Sequence, residues 1–303
     1  MTEENLQSYL QQILDELRAI RRLLEHGGAT PHEQPLAEVS ETRSTPQTRA
    51  ALPTELSSLV AEQFLCRYLR GRELTLVEAD DLTPSNPTMR ERMHLAYFIG
   101  EHYALARGML GELRATLQSP RNIVISTQGL GERELCTLTN IATRLHNLHM
   151  LEFYQYQRDS KRLVMRVRRQ PYAHNYLSGE WFEWYVAQAV RKILGDQAPL
   201  VLRNVKLQTT SGILCEVDVL FVVQRGNELD IGVLECKSAN AIYGDEFAQI
   251  KRMASLLNRG MLRTAVVMPD APSPAFADQW TEQCGAQFIG RSALEAFLRE
   301  MAR

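Results

Sequence analysis

Two neighbouring stretches of this 303-residue chain carry acids and one amine at the spacing of strands. The first is Cys215-Glu216-Val217-Asp218-Val219-Leu220-Phe221-Val222-Val223. The second runs from Leu229 to Ser238 and closes on Leu234-Glu235-Cys236-Lys237. Both are rich in Val, Leu, Ile and Phe, and Gly226-Asn227 punctuates between them, so they read as the arms of a hairpin. Side chains alternate faces along a strand. Glu216 and Asp218 are therefore expected on one face, with Val217, Val219 and Phe221 on the other; Glu235 and Lys237 likewise share a face. Pairing of the strands brings three carboxylates and one ammonium to one spot of an otherwise apolar sheet. Ionised acids so placed repel one another and resist desolvation. A divalent cation removes that cost, and hard oxygen ligands at this density suit Mg2+ or Mn2+. Singly, Glu-Val-Asp or Glu-x-Lys is as readily the solvated face of a strand. Together, and in this order, they point to metal-assisted chemistry.

The elements around these groups can be read in turn. Asn175-Tyr176-Leu177-Ser178-Gly179 leads into a helix from Glu180 to Leu194, with Ser178 its expected N-cap and Gly195 its stop. Glu183 sits among Trp181, Phe182, Val186 and Val190, and a carboxylate on so apolar a face needs a partner. Glu180, one turn earlier, can look the same way. Strands follow at 200–207, 215–223 and 229–238, then a helix at 245–258, a strand at 262–268, a helix at 274–284, a short strand at 287–289 and a last helix at 292–301. That order makes an α/β fold, a mixed sheet flanked by helices. Gln249 and Lys251 either reach a phosphate or form the polar face of their helix.

A helical Glu, an Asp on a central strand, a hairpin and then Glu-x-Lys is the order found in the PD-(D/E)XK superfamily. These are the restriction-endonuclease-like nucleases, archaeal Holliday-junction resolvases among them. The chain resembles them. It is most similar to the nuclease half of CRISPR ancillary nucleases that carry a CARF sensor domain. The likeness rests on Leu177-Ser178-Gly179-Glu180-Trp181-Phe182-Glu183-Trp184-Tyr185-Val186, on Glu216-Val217-Asp218-Val219-Leu220 and on Leu234-Glu235-Cys236-Lys237-Ser238. It covers about residues 150–303. The amino-terminal region has no such match. Those relatives begin with a Rossmann-like domain that senses cyclic oligoadenylate, so activation by such a messenger is not carried over. Glu180 stands where that branch has Gly, as a supporting carboxylate or a surface charge. The resemblance implies that Asp218 and Glu235 bind the metal with the Cys236 carbonyl as a third ligand. It implies Glu183 on a second metal or a ligand water, and Lys237 orienting the attacking water and offsetting charge on the phosphate. Glu216 is a secondary candidate.

Ahead of this domain the character changes. Leu6, Leu10, Ile13, Leu17, Ile20 and Leu24 are spaced 4, 3, 4, 3, 4, the alternation of a heptad seam. Residues 1–26 are thus expected to form a coiled-coil helix and pair two copies, or else to lie as one amphipathic helix on the domain. Gly27-Gly28 stops it, and residues 27–55, rich in Pro, Ser, Thr, Glu and Gln, read as a flexible linker. Residues 56–170 read as a helical domain: a helix at 56–69, a short strand at Leu74–Val77, a long helical stretch at 88–117, a strand at 122–126, a helix from Gly131 to about Leu148, and a hairpin turning about Asp159-Ser160. This order suggests a winged helix. The hairpin is the most basic stretch, with Arg158, Lys161, Arg162, Arg166, Arg168 and Arg169 beside Phe153, Tyr154 and Tyr156. It either tracks phosphates and stacks on bases or simply covers the core.

Composition bounds the rest. The net charge is -2, and no apolar run approaches the ~20 residues that span a membrane. The opening Met-Thr-Glu-Glu-Asn is no secretory signal. Five scattered cysteines, with no Cys-x-x-Cys pair, are expected as reduced core thiols of a cytoplasmic protein. The expected activity is Mg2+- or Mn2+-dependent endonuclease cleavage, of DNA rather than RNA, by a homodimer, in antiviral defence, repair or mobile-element processing. The alternatives are a non-cleaving nucleic-acid-binding or assembly protein built on the same fold, and a nuclease subunit activated by a partner.

Overall fold

A computed structural model describes residues 54–84, 86–119, 121–238, 244–257 and 263–303. The coiled coil expected at 1–26, the dimer contact it implies and the linker up to residue 53 lie outside the described residues. From Thr54 the chain forms helix α1 (Thr54–Arg70), strand β1 (Leu74–Asp81), helices α2 (Pro87–Glu101) and α3 (Tyr103–Gln118), strand β2 (Ile123–Ser126), helix α4 (Glu132–Asn147) and the hairpin β3 (Leu151–Gln157) and β4 (Arg162–Val167). Helix α5 (Pro171–Asn175), a π-helical turn (Tyr176–Glu180) and helix α6 (Trp181–Leu194) run on without a gap. Then come β5 (Leu200–Thr209), β6 (Leu214–Arg225), β7 (Glu228–Cys236), helix α7 (Gly244–Leu257), β8 (Thr264–Met268), helix α8 (Pro274–Cys284), β9 (Gln287–Gly290) and helix α9 (Leu294–Met301).

Six strands make one mixed sheet in the order β1-β5-β6-β7-β8-β9. Its first four strands pair antiparallel, and β8 and β9 add in parallel. Helices cover both faces. One core joins α2, α3, α4, α6 and α9 to Val219, Phe221, Leu234 and Val267 of the sheet. The other packs α1, α7 and α8 on Leu220, Val222, Val233 and Val266. A smaller sheet, in the order β2-β4-β3, closes the first core from the helical side.

Strict alternation fails at one point on β6. Cys215 and Val217 enter the second core, whereas Val219, Phe221 and Val223 enter the first. The expectation of Val217, Val219 and Phe221 on a single face is corrected accordingly. Asn204 of β5 falls between the paired residues Arg203–Val219 and Val205–Val217, opposite Asp218, and has a left-handed φ of 51°. Asn tolerates that conformation better than most residues. The reset of both strands at this level leaves Asp218 outside either apolar face.

The helix before β5 begins earlier than expected. Pro171 opens it, a position proline favours. Ser178 lies inside the π-helical turn, where its hydroxyl donates to the Asn175 carbonyl at 3.0 Å, so it is not an N-cap. Such turns shift which side chains face the sheet. Gly195, at φ 53°, ends α6 as expected. The helical stretch expected over 88–117 is two helices, meeting at His102. Gly100 is needed for contact: a Cβ there would lie 1.9 Å from the Tyr185 ring of α6.

The boundary expected between 56–170 and 171–303 does not separate distinct bodies. Residues 51–303 form one unit, β1 is the edge strand of the large sheet, and α1 packs on that sheet. Two cysteines also depart from expectation: Cys66 and Cys136 are exposed, while Cys215 and Cys284 are buried. No described helix is long and apolar enough to cross a membrane.

Candidate active site

The expected acids meet where β6 and β7 separate. Their ladder runs only as far as Val219–Leu234. Beyond it β6 stays with β5, and β7 stays with β8, whose Val267 carbonyl accepts the Lys237 N–H at 2.9 Å. The Cys236 N–H, left without a strand partner on the β6 side, donates to Asp218 Oδ2 at 2.6 Å. Asp218 thus reaches across the fork. Glu235 is 3% exposed, and its Oε1 accepts from Lys237 Nζ at 2.9 Å. Lys237 Nζ also lies 3.3 Å from Glu246 of α7.

Electrostatics follow from this burial. The Asp218 carboxyl is pushed well above its usual range by burial and by Glu235, against the pull of the Cys236 N–H and Lys237. Glu235 is raised as well, by burial and by Glu183 and Glu216, although Lys237 opposes. Burial pulls the Lys237 ammonium down, but Glu235, Asp218 and Glu246 outweigh it and hold the amine firmly protonated. Glu216 is exposed and adds only a small push on its two neighbours.

Glu183 lies beside this fork and has a different partner. Arg203 of β5, 4% exposed, donates from Nη1 to Glu183 Oε2 at 2.8 Å. Its Nη2 pairs with Asp80 of β1 and lies 3.6 Å from Glu180, and its guanidinium stacks on Trp184 at 4.0 Å. Glu180 also accepts from Trp184 Nε1 at 3.2 Å, so it is a supporting carboxylate, not a loose surface charge. Burial, then Asp218 and Glu180, lift the Glu183 carboxyl to about 7 against the opposing Arg203. Sequence reasoning missed Arg203 and Asp80. A cation inside the apolar run Leu200-Val201-Leu202-Arg203 was the available signal, because such a charge needs an acid.

The rim adds further groups. Ser238 Oγ donates to the Ser178 carbonyl at 2.7 Å, and Arg114 of α3 donates to the Ser238 carbonyl at 2.9 Å. A Cβ on Gly179 would stand 3.2 Å from Ser238 Oγ, which favours glycine beside the lysine loop. Gln249 and Lys251 are exposed on α7, Gln249 three residues past Glu246. Arg158, Lys161, Arg162, Arg166 and Arg169 are exposed around the β3–β4 hairpin, and Arg168 is half-buried. Arg166 is tethered to Asn122 at 2.9 Å.

Among the described residues, no three His, Cys, Asp or Glu side chains form a ready metal site. The donor chemistry at the fork nevertheless fits a hard cation. One buried and one half-buried carboxylate, Glu235 and Asp218, are both raised by desolvation and by neighbouring acids, with one ammonium between Glu235 and Glu246. Oxygen donors of this kind suit Mg2+ or Mn2+ and not a soft metal.

No family model matches the chain, and no curated protein matches it. Among solved structures it is similar to protein VC1899 from Vibrio cholerae, with 21% identity over 78% of this chain and 60% of that one, at a TM-score of 0.47. It is also similar to Can2 from Sulfobacillus thermosulfidooxidans, solved in complex with cyclic tetra-adenylate, with 19% identity over 79% of this chain and 61% of that one, at a TM-score of 0.49. The chain thus spans about three fifths of the length of these structures.

Proposed function

We propose that the chain is a Mg2+- or Mn2+-dependent nuclease of the PD-(D/E)XK type that hydrolyses phosphodiesters, in DNA rather than RNA. The observation that carries this reading is the fork itself. Asp218, Glu235 and Lys237 come together, Glu235 buried and the other two half-buried, where the ladder between β6 and β7 opens. Asp218, Glu235 and the Cys236 carbonyl are the proposed ligands. A bound divalent cation supplies an activated water and offsets charge on the phosphate. The chain's own groups do the rest. Lys237 stays protonated, anchored by Glu235 and Glu246, and presents a point charge to the phosphate. Glu183, its direction fixed by Arg203, is proposed to hold a second metal or a ligand water. The exposed hairpin arginines and the heptad seam at 1–26 are proposed to hold nucleic acid and a second copy respectively.

One observation favours a second reading: Arg203 already occupies Glu183. A non-cleaving nucleic-acid-binding protein would show the same. One assay separates these readings: single-stranded, duplex and branched DNA and RNA incubated with Mg2+, Mn2+ or chelator. The nuclease reading expects metal-dependent cleavage that Asp218→Ala and Glu235→Ala each reduce by about 1,000-fold or more, on the order of 4 kcal/mol of barrier. Metal-dependent cleavage retained in both variants counts decisively against it.

A further inference from the structure

Helices α2 and α6, with Arg144 of α4, line a cleft of about 690 Å3. None of Asp218, Glu235 or Lys237 lines it; it shares only helix α6 with Glu183. Its walls combine two kinds of group. Tyr97 and Phe98 supply aromatic rings, and Arg144, Arg191 and Lys192 supply cations. Glu101 is the lining carboxylate and Arg144 is paired with Glu91 outside the lining, so Arg191 and Lys192 leave an excess of one positive charge.

The cations already use the rings. Lys192 Nζ lies 4.7 Å from the Tyr97 ring centre and 2.6 Å from its hydroxyl, and the Arg144 guanidinium lies 5.6 Å from the Phe98 ring centre. Arg144 is further tied to Glu91 at 2.7 Å. Arg191 is exposed, and no acid pairs with it among the described residues. Aromatic rings that already hold cations, beside the exposed Arg191, are groups a planar base carrying phosphate can engage. Base–aromatic stacking is worth about 1–3 kcal/mol per base. The volume also falls within the ~300–1,000 Å3 of small-molecule sites.

We propose that this cleft binds a nucleotide, with its base against Tyr97 and Phe98 and its phosphates against Arg191 and Lys192. Binding does not depend on the acidic fork, so the test needs no catalysis. Equilibrium dialysis of the full chain in EDTA would compare ATP with adenosine and with tripolyphosphate. The expected result is that ATP binds and each fragment binds at least about tenfold more weakly. The double variant Arg191→Glu, Lys192→Glu should weaken ATP at least about tenfold in a chain whose circular dichroism shows it folded, although loss of the Lys192 contact with Tyr97 lowers its melting temperature. The charge-keeping variant Arg191→Lys, Lys192→Arg should retain ATP. Tripolyphosphate bound as tightly as ATP would overturn the proposal by making the cleft a general anion trap. ATP failing to bind, or binding unaltered by the glutamates, would overturn it too.

Discussion

Two charged clusters share the large sheet and are balanced in opposite ways. Around Arg203 the buried group is a cation, and the protein surrounds it with Asp80, Glu180, Glu183 and the Trp184 ring. At the fork the buried groups are acids, and the nearby ammonium is shared between Glu235 and an outer acid, Glu246. Asp218 has one backbone N–H and the more distant charge of Lys237 to set against its own burial and the charge of Glu235. A carboxyl pushed up in this way is one whose partners return less than its desolvation costs. The Arg203 cluster therefore ties its buried cation to three acids, one of which, Glu183, is itself raised, whereas the fork, whose one ammonium is shared with an outer acid, is left short of positive charge. Folded chains tolerate such a deficit chiefly where function needs it.

Stability measurements can break this contrast. The largest effect is expected from Arg203→Ala, which strips the cation from three acids and should cost about 3–5 kcal/mol in urea unfolding, as breaking buried ion pairs does. A loss below about 1 kcal/mol, the range of exposed pairs, would remove the distinction between the clusters. The opposite sign is expected at the fork. Asp218→Asn keeps an acceptor for the Cys236 N–H but removes the repulsion with Glu235, so the metal-free protein should gain stability. A drop in melting temperature would mean that Asp218 is a structural acid after all.

The pH dependence sharpens the comparison. The Glu183 carboxyl sits at about 7 in the folded chain against an ordinary 4.5. The folded state then binds the proton more tightly, so this contribution is complete below about 4.5 and is lost as pH rises through about 7. Metal-free melting temperature should fall across that interval, and Glu183→Gln should flatten the fall. The smallest effect serves as a ruler. Arg299 and Glu295 form an i,i+4 pair at 2.8 Å with side chains about 60% exposed, and Arg299→Ala should cost only about 0.3–0.5 kcal/mol.

The local features of this arrangement were legible in the chain. Apolar runs bounded by Gly226-Asn227 and Gly195 mark strands and helix ends, and Asp218, Glu235 and Lys237 stand out because charge on an apolar strand is costly. What stayed hidden depends on distant pairing. Leu74–Val77 reads as a short strand in a helical domain, yet the strand runs on to Asp81, completes the sheet edge against β5 and brings Asp80 to Arg203. Alternation alone cannot show the reset at Val217, because it arises from the left-handed Asn204 on another strand. Ser178 has the chemistry of a cap, but Pro171 and the buried Tyr176 and Leu177 carry the helix past it. Arg203 looked like one more strand residue until β1 and α6 were placed on either side.

The most direct measurement of a shared cation at the fork is Mn2+ binding by calorimetry to the wild-type chain, Asp218→Ala and Glu235→Ala, each checked for an intact fold. The expected result is Mn2+ bound by the wild type and lost in both variants. Unchanged Mn2+ affinity in either variant would contradict the claim that these two acids hold one metal between them.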